Sequence, residues 1–317
     1  MSYFRKLKDI IKEKRPKLRE SSIDLYARNM RKLSKLNDED EFENVNFLDN
    51  PSNIANMLKD KSLHTRKTYY SSIVVVLMAL DKEKELIDKY RKEMEELQEF
   101  YIKEKDSNKK SEKMNKNWVE YTDLIKVMDN LRKKVSYEKI FKKENPTKKE
   151  KSLVQQLVIA SLYLLEPEDN PPVRLDYIMK VIPEKEYKSI ENPKENYLVI
   201  KSRNHKYFSF NDYKTSGTYK DKEIKVGKKL NSLLNNWLKI NNSGYLLLNN
   251  KDEPLSSNGL TKALNKVFES TNKNISASMI RHAYLTDRYS ETTEDKKIIA
   301  DAMLHSVQEQ SGYIKTD

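Results

Sequence analysis

No glycine lies before residue 200 of this 317-residue chain. Over residues 1 to 106 no glycine turn and no strand-like alternation interrupts the pattern. Apolar residues instead recur at intervals of three and four, the period of a helix face. Ile23, Tyr26, Met30 and Leu33 make one such face, with Ser21 or Ser22 as its expected cap. Pro16 interrupts the basic segment before it. A short helix is expected in PSNIANMLKDK, and a longer one in SLHTRKTYYSSIVVVLMAL with Ser62 as cap. A charged helix is expected from Asp81 to Lys105. Helices that cannot turn back as hairpins pack as a bundle, so residues 1–106 are expected to form a helical domain.

The five glycines, Gly217, Gly227, Gly244, Gly259 and Gly312, are too dispersed for GxGxxG or GxxxxGK[ST]. Phosphate-cradling loops of those two kinds are excluded. There is no cysteine, which excludes disulfides, thiol nucleophiles and iron–sulfur clusters. Only four histidines occur, and none forms HExxH or another close pair. No metal or other cofactor is expected from this composition. Acidic runs at Asp38 to Glu41 and Glu166 to Asp169 admit a two-metal nuclease reading, although such runs more often cap helices or face solvent.

Residues 107–117 lie in DSNKKSEKMNKN, which holds no large apolar residue except Met114 and reads as a basic linker. From Trp118 the pattern is mixed. Helices are expected from Thr122, from Leu153 to Leu165, over residues 228–241, and in three segments beyond Ser257. Strands are expected in NYLVIKS, KYFSF and KEIKV, with another short one at Leu246 to Leu248. The fold class is therefore mainly α with a small antiparallel β-sheet, an α+β arrangement, with domains at 1–106 and 118–317.

Lys and Arg number 61 against 49 Asp and Glu, a net charge of +12. That balance suits a polyanionic partner; the alternative is codon bias, because an A+T-rich genome also produces heavy Lys, Asn and Ile use. The longest apolar run, Ile73 to Leu80, falls far short of the roughly 20 residues of a membrane helix. MSYFRKLKDIIKEKRPK has no apolar core of a secretory signal, so an intracellular location is expected.

Cutting a phosphodiester without a metal needs fixed cations, a proton donor for the leaving oxygen and an in-line nucleophile. The second part of the chain holds candidates in this order: Arg174 in PPVRLDYIM, Lys214 in NDYKTSGTYKD, Arg281 in SMIRHAY, His305 in MLHS, and Tyr313. Each is weak alone, since Tyr313 is one of 19 tyrosines and Lys214 has Lys220 as a rival. Their order and spacing together carry the signal.

That order resembles the tyrosine recombinases, the phage-type integrases, across residues 118–317. R-L-D resembles the family's first-arginine segment, Lys214 its β-hairpin lysine, SMIRHAY its HxxRH segment, and MLHS with Tyr313 its GHS…Y segment. The wording PPVRLDY and YKTSGTY is most similar to members from large DNA viruses and eukaryotic mobile elements. LHTRKTYYSSI resembles the helix entry of the family's core-binding domain. The resemblance implies a helical DNA clamp joined to a catalytic domain, acting on double-stranded DNA as a dimer or tetramer.

It also implies that Tyr313 attacks a backbone phosphate to form a 3′-phosphotyrosine. Arg174 and Arg281 would hold the phosphate, aided by His305, while Lys214 would protonate the leaving 5′-oxygen. No cofactor, metal or ATP enters that scheme. Strand exchange in a viral or mobile element, in the host nucleus or cytoplasm, is the implied role. The alternatives are a type IB topoisomerase or an inactive DNA-binding relative.

Three departures stand out. Ser278 occupies the first His of HxxRH and is expected to play a minor catalytic role. Leu304 replaces the glycine before His305, and four residues follow Tyr313, where many members carry a tail helix. In the first part, Thr65, Arg66, Lys67 and Tyr69 crowd one helix start and are the expected DNA-binding residues, since a helix N-terminus with hydroxyls and cations suits phosphate.

Overall fold

The computed structural model describes residues 2–106, 110–216, 221–288, 293–304, 306, 309 and 313. The chain divides into two compact units, Met1–Ser107 and Asn108–Asp317.

The first unit holds five α-helices among its described residues: α1 (Tyr3–Lys14), α2 (Glu20–Leu36), α3 (Pro51–Leu58), α4 (Leu63–Ala79) and α5 (Lys84–Asp106). Helix α1 stops at Lys14 because Pro16 cannot donate to the helical ladder. One core joins Leu7 and Ile11 of α1, Ile23, Met30 and Leu33 of α2, Ile73 and Leu77 of α4, and Tyr90 of α5. The cap expected at Ser21 or Ser22 is not used. Helix α2 starts earlier, at Glu20, with no side-chain cap at Arg19. Glu20 instead sets a negative charge in the first turn, where the helix dipole favours it, and pairs with Lys8 at 3.2 Å. Ser62 does cap α4, accepting the Thr65 N–H at 3.3 Å.

The second unit begins with α6 (Glu112–Asn117), a short helix inside the segment read as a basic linker. Ser111 caps it by accepting the Met114 N–H at 3.3 Å, a local signal that the polar composition masks. Helices α7 (Tyr121–Tyr137) and α8 (Lys148–Leu164) follow. Helix α8 starts five residues before the apolar run because Thr147 and Glu150 form a capping box. Its far half, Leu157 to Leu164, is buried all round, packed by α7, by α10 (Lys228–Ile240) and by α11 (Ser257–Val267).

The sheet has four strands in the order β1 (Lys180–Pro183), β2 (Tyr197–Ser202), β3 (His205–Phe210) and β4 (Lys222–Lys225). The antiparallel expectation holds for β2 with β3 and for β3 with β4. It fails at β1, which pairs parallel with β2 from Lys180↔Tyr197 to Pro183↔Ile200. The sheet is therefore mixed. KVIP is short and ends in proline, so periodicity alone does not mark it as a strand. The parallel return runs through a crossover containing α9 (Glu184–Tyr187).

Leu246 to Leu248 form no strand, only isolated bridges nearby at Lys180↔Tyr245 and Leu248↔Pro254. The Gln155 side chain takes the place of a strand partner, donating to the Leu248 carbonyl and accepting its N–H, each at 2.8 Å. Helices α12 (Ala277–Asp287) and α13 (Thr293–Ala302) complete the unit. The acidic run at 166–169 is structural where its contacts are described. Glu166 caps α10 through the Lys229 and Leu230 N–H groups at 2.9 and 3.1 Å, and Glu168 pairs with Arg288 at 3.0 Å.

Candidate active site

Arg174 lies between α8 and β1, and its backbone is held from below. The buried Tyr163 of α8 donates its hydroxyl to the Arg174 carbonyl at 2.7 Å. Two residues on, the Asp176 carbonyl accepts from Asn196 Nδ2 at 3.0 Å. The same amide nitrogen donates to the Asp212 carbonyl at 2.9 Å, while Asn196 Oδ1 accepts the Asn211 and Asp212 N–H groups at 2.9 and 2.8 Å. One buried asparagine thus ties the Arg174 loop to the β3–β4 connection, which carries Lys214.

Lys214 is exposed. Its neighbour Thr215 donates Oγ1 to the Leu304 carbonyl at 3.1 Å. His305, next in the chain, lies outside the described residues, as does Lys220. Leu304 is buried with a φ of 60°. That is the left-handed region, which glycine enters freely and a leucine enters at a cost.

Arg281 occupies the middle of α12 and is fully buried, at 0% exposure. Its Nη1 donates to the Tyr313 hydroxyl at 3.0 Å. The guanidinium also lies 4.4 Å from the centroid of the Tyr313 ring. Nε and Nη2 are buried with no hydrogen-bond partner among the described residues. Burial pulls the Arg281 pKa down to about 10, opposed by Tyr313 and assisted by the nearby Arg174 charge. A buried cation with two unsatisfied donors is costly, and such a site gains from any anion brought to it.

The Arg174 guanidinium carries a carboxylate already. Its Nη2 is ion-paired with Glu309, and both side chains are largely shielded from water. Asp176 completes the charged cluster. Burial pushes its carboxyl pKa up to about 6, against the pull of Arg174 and Arg281. His282, beside Arg281 on α12, meets the other end of the tyrosine. Its Nδ1 is 2.7 Å from the Tyr313 carbonyl oxygen, and the two rings are 4.6 Å apart.

Arg174, Arg281 and Tyr313 are therefore brought together. Lys214 is placed only through its neighbours, and Ser278 is exposed in the first turn of α12, three residues before Arg281 on the same face. Asp176, Glu309, His282 and Asn196 were not singled out as site residues by sequence. Asp176 had a signal, the acid of R-L-D. His282 stands next to Arg281 in SMIRHAY, and nothing in the local sequence marks Glu309 or Asn196.

In the first unit the expected DNA-binding residues lie in the first turns of α4. Thr65 Oγ1 bonds Ser62 Oγ at 2.9 Å. Arg66 is half-buried beside the core residue Tyr70. Lys67 Nζ sits 4.6 Å over the Tyr101 ring, and Tyr69 is half-buried. Among the described residues no helix is long and apolar enough to cross a membrane.

No family model and no curated protein matches this chain. Among solved structures the chain is similar to the crystal structure of XerA recombinase. The identity is 10%, the TM-score is 0.40, and the match covers 99% of this chain and 94% of that one.

Proposed function

We propose that this protein cleaves and rejoins DNA strands through a covalent phosphotyrosine, with Tyr313 as the nucleophile. The observation that carries this reading is Arg281. It is a fully buried cation that grips the Tyr313 hydroxyl while two of its donors point at no partner. A backbone phosphate satisfies those donors and brings its phosphorus to the tyrosine in the same act. Arg174 supplies the second guanidinium. Tyr313 Oη then bonds to phosphorus as the P–O5′ bond breaks, and the tyrosine proton is lost to solvent or to a neighbouring base. Lys214, exposed in the β3–β4 connection, donates a proton to the leaving 5′-oxygen. His305 and Ser278 add hydrogen bonds to the phosphate. The Tyr–phosphate ester keeps the bond energy, so a 5′-hydroxyl reverses the step with no ATP and no metal.

In this reading residues 1–106 form a DNA clamp, residues 107–117 a basic link and residues 118–317 the catalytic domain. The protein acts inside the cell on duplex DNA of a viral or mobile element, as a dimer or tetramer. The test is a nicked duplex whose cleaved end diffuses away, trapping an SDS-stable protein–DNA adduct. Wild-type protein should form the adduct in excess EDTA. Tyr313→Phe should form none while binding the duplex as tightly. An adduct that survives this substitution removes Tyr313 from the role.

A further inference from the structure

We propose that His282 is a positioning residue for Tyr313, anchoring the backbone of the nucleophile while Arg281 holds its hydroxyl. This inference rests on the proposed role of Tyr313. A carbonyl oxygen only accepts, so the 2.7 Å contact requires the His282 tautomer that carries its proton on Nδ1. The Tyr313 carbonyl is thereby tied to α12 by a donor one residue from the arginine that binds Oη.

Two tethers from adjacent positions of one helix have a fixed separation. A phenol held at its hydroxyl alone swings about that single bond, and its backbone wanders with it. A phenol held at both ends keeps its oxygen within the near-attack distance of about 3–3.5 Å that phosphoryl transfer demands. The ring contact adds to this, with the imidazole 4.6 Å from the Tyr313 ring and tilted by 40°. The helix itself is well anchored. Ile280, Ala283 and Tyr284 on either side of the pair are core residues, so motion of the His282 backbone requires motion of the whole element.

A simple packing role predicts something different. If His282 only filled space, phenylalanine would serve as well. If it donates from Nδ1, asparagine should serve better, because its amide nitrogen stands the same number of bonds from Cα as Nδ1 does. Glutamine places its amide one atom further out and should fail.

The experiment uses the full chain in four forms, wild type, His282→Asn, His282→Gln and His282→Phe. The probe is a pool of nicked duplexes with randomised sequence around the nick, and single-turnover adduct formation is followed beside noncovalent duplex affinity. A second readout needs no DNA. 3-Fluorotyrosine placed at position 313 reports by ¹⁹F line width whether the ring is held. We expect Asn to stay within about threefold of the wild-type rate, and Phe and Gln to fall by about ten- to a hundredfold. Affinity should be unchanged, and the ¹⁹F line should change only in Phe and Gln. Equal rates and lines in Asn and Phe overturn the positioning role, whatever their level. An adduct that survives Tyr313→Phe overturns the nucleophile itself, and the proposal falls with it. Loss of adduct in Tyr313→Phe with His282→Phe at the wild-type rate overturns the proposal about His282 alone.

Discussion

Arg174 and Glu309 are ion-paired although 135 residues separate them in the chain. If Arg174 binds phosphate, Glu309 occupies the seat in the free protein and must leave before DNA enters. Glu309→Gln keeps the shape and removes the charge. We expect duplex binding to tighten by about three- to tenfold, the equivalent of roughly 1 kcal/mol for a partly shielded pair. Fluorescence anisotropy with a labelled duplex measures it, and weaker binding would instead make Glu309 part of the DNA contact.

Arg281 should trade stability for chemistry. Its burial with two unpartnered donors costs folding free energy, so an apolar side chain of similar length should fold better. We expect Arg281→Met to raise unfolding free energy by about 1–3 kcal/mol in urea titration and to abolish the adduct. Arg281→Lys should also lose most adduct formation, because one ammonium does not replace the planar fork. A destabilised Arg281→Met protein would show that the guanidinium is satisfied in solution.

Leu304 should invert the usual order of alanine and glycine. Both replacements empty most of the same buried space, glycine by one methyl more, at about 2–4 kcal/mol. Alanine keeps the strain of a φ of 60°, whereas glycine releases about 1 kcal/mol of it. Leu304→Gly should therefore be more stable than Leu304→Ala in equilibrium denaturation, by about 1 kcal/mol. The opposite order would mean that this backbone relaxes out of the left-handed region.

Asp176 should make stability fall as pH rises from about 4 to 6. Its folded pKa, about 6, lies above the ordinary carboxylate value of 3.8. Between those values the native state holds a proton that the unfolded chain has lost, so unfolding free energy drops as pH increases and levels off above about 6. Asp176→Asn removes this dependence. Relative to wild type it should be more stable at pH 7.5 than at pH 4, by about 1–2 kcal/mol in the difference. Denaturant titrations of both proteins at the two pH values measure it, and parallel curves would mean that water reaches the carboxyl.

Much of the helical framework was legible in local spacing. Ile23, Met30 and Leu33 recur at helical intervals and are buried in α2, and the apolar body of α4 is a helix as its length required. Boundaries were less legible where a polar cap extended a helix past its apolar stripe, as Thr147 and Glu150 do for α8. The strand β1 escaped because four residues with a terminal proline carry no readable period. At the candidate site, order and spacing point to Arg174, Arg281 and Tyr313; Arg281 and Tyr313 are hydrogen-bonded, and Arg174 is near enough for its charge to act on Arg281.

What the sequence determined by itself was what depends on neighbours along the chain: helical faces, the absence of glycine loops of the phosphate-cradling kinds, and the order of Arg174, Lys214, Arg281, His305 and Tyr313. Only the tertiary structure decided what depends on partners far apart. Asn196 ties Asp176 to Asp212, Glu309 reaches back to Arg174, and His282 and Arg281 take hold of opposite ends of Tyr313. The same is true of charge. Arg281 reads as one basic residue among 61, and only burial makes it a cation with donors to spare, because desolvation is a property of the packed interior and not of the chain.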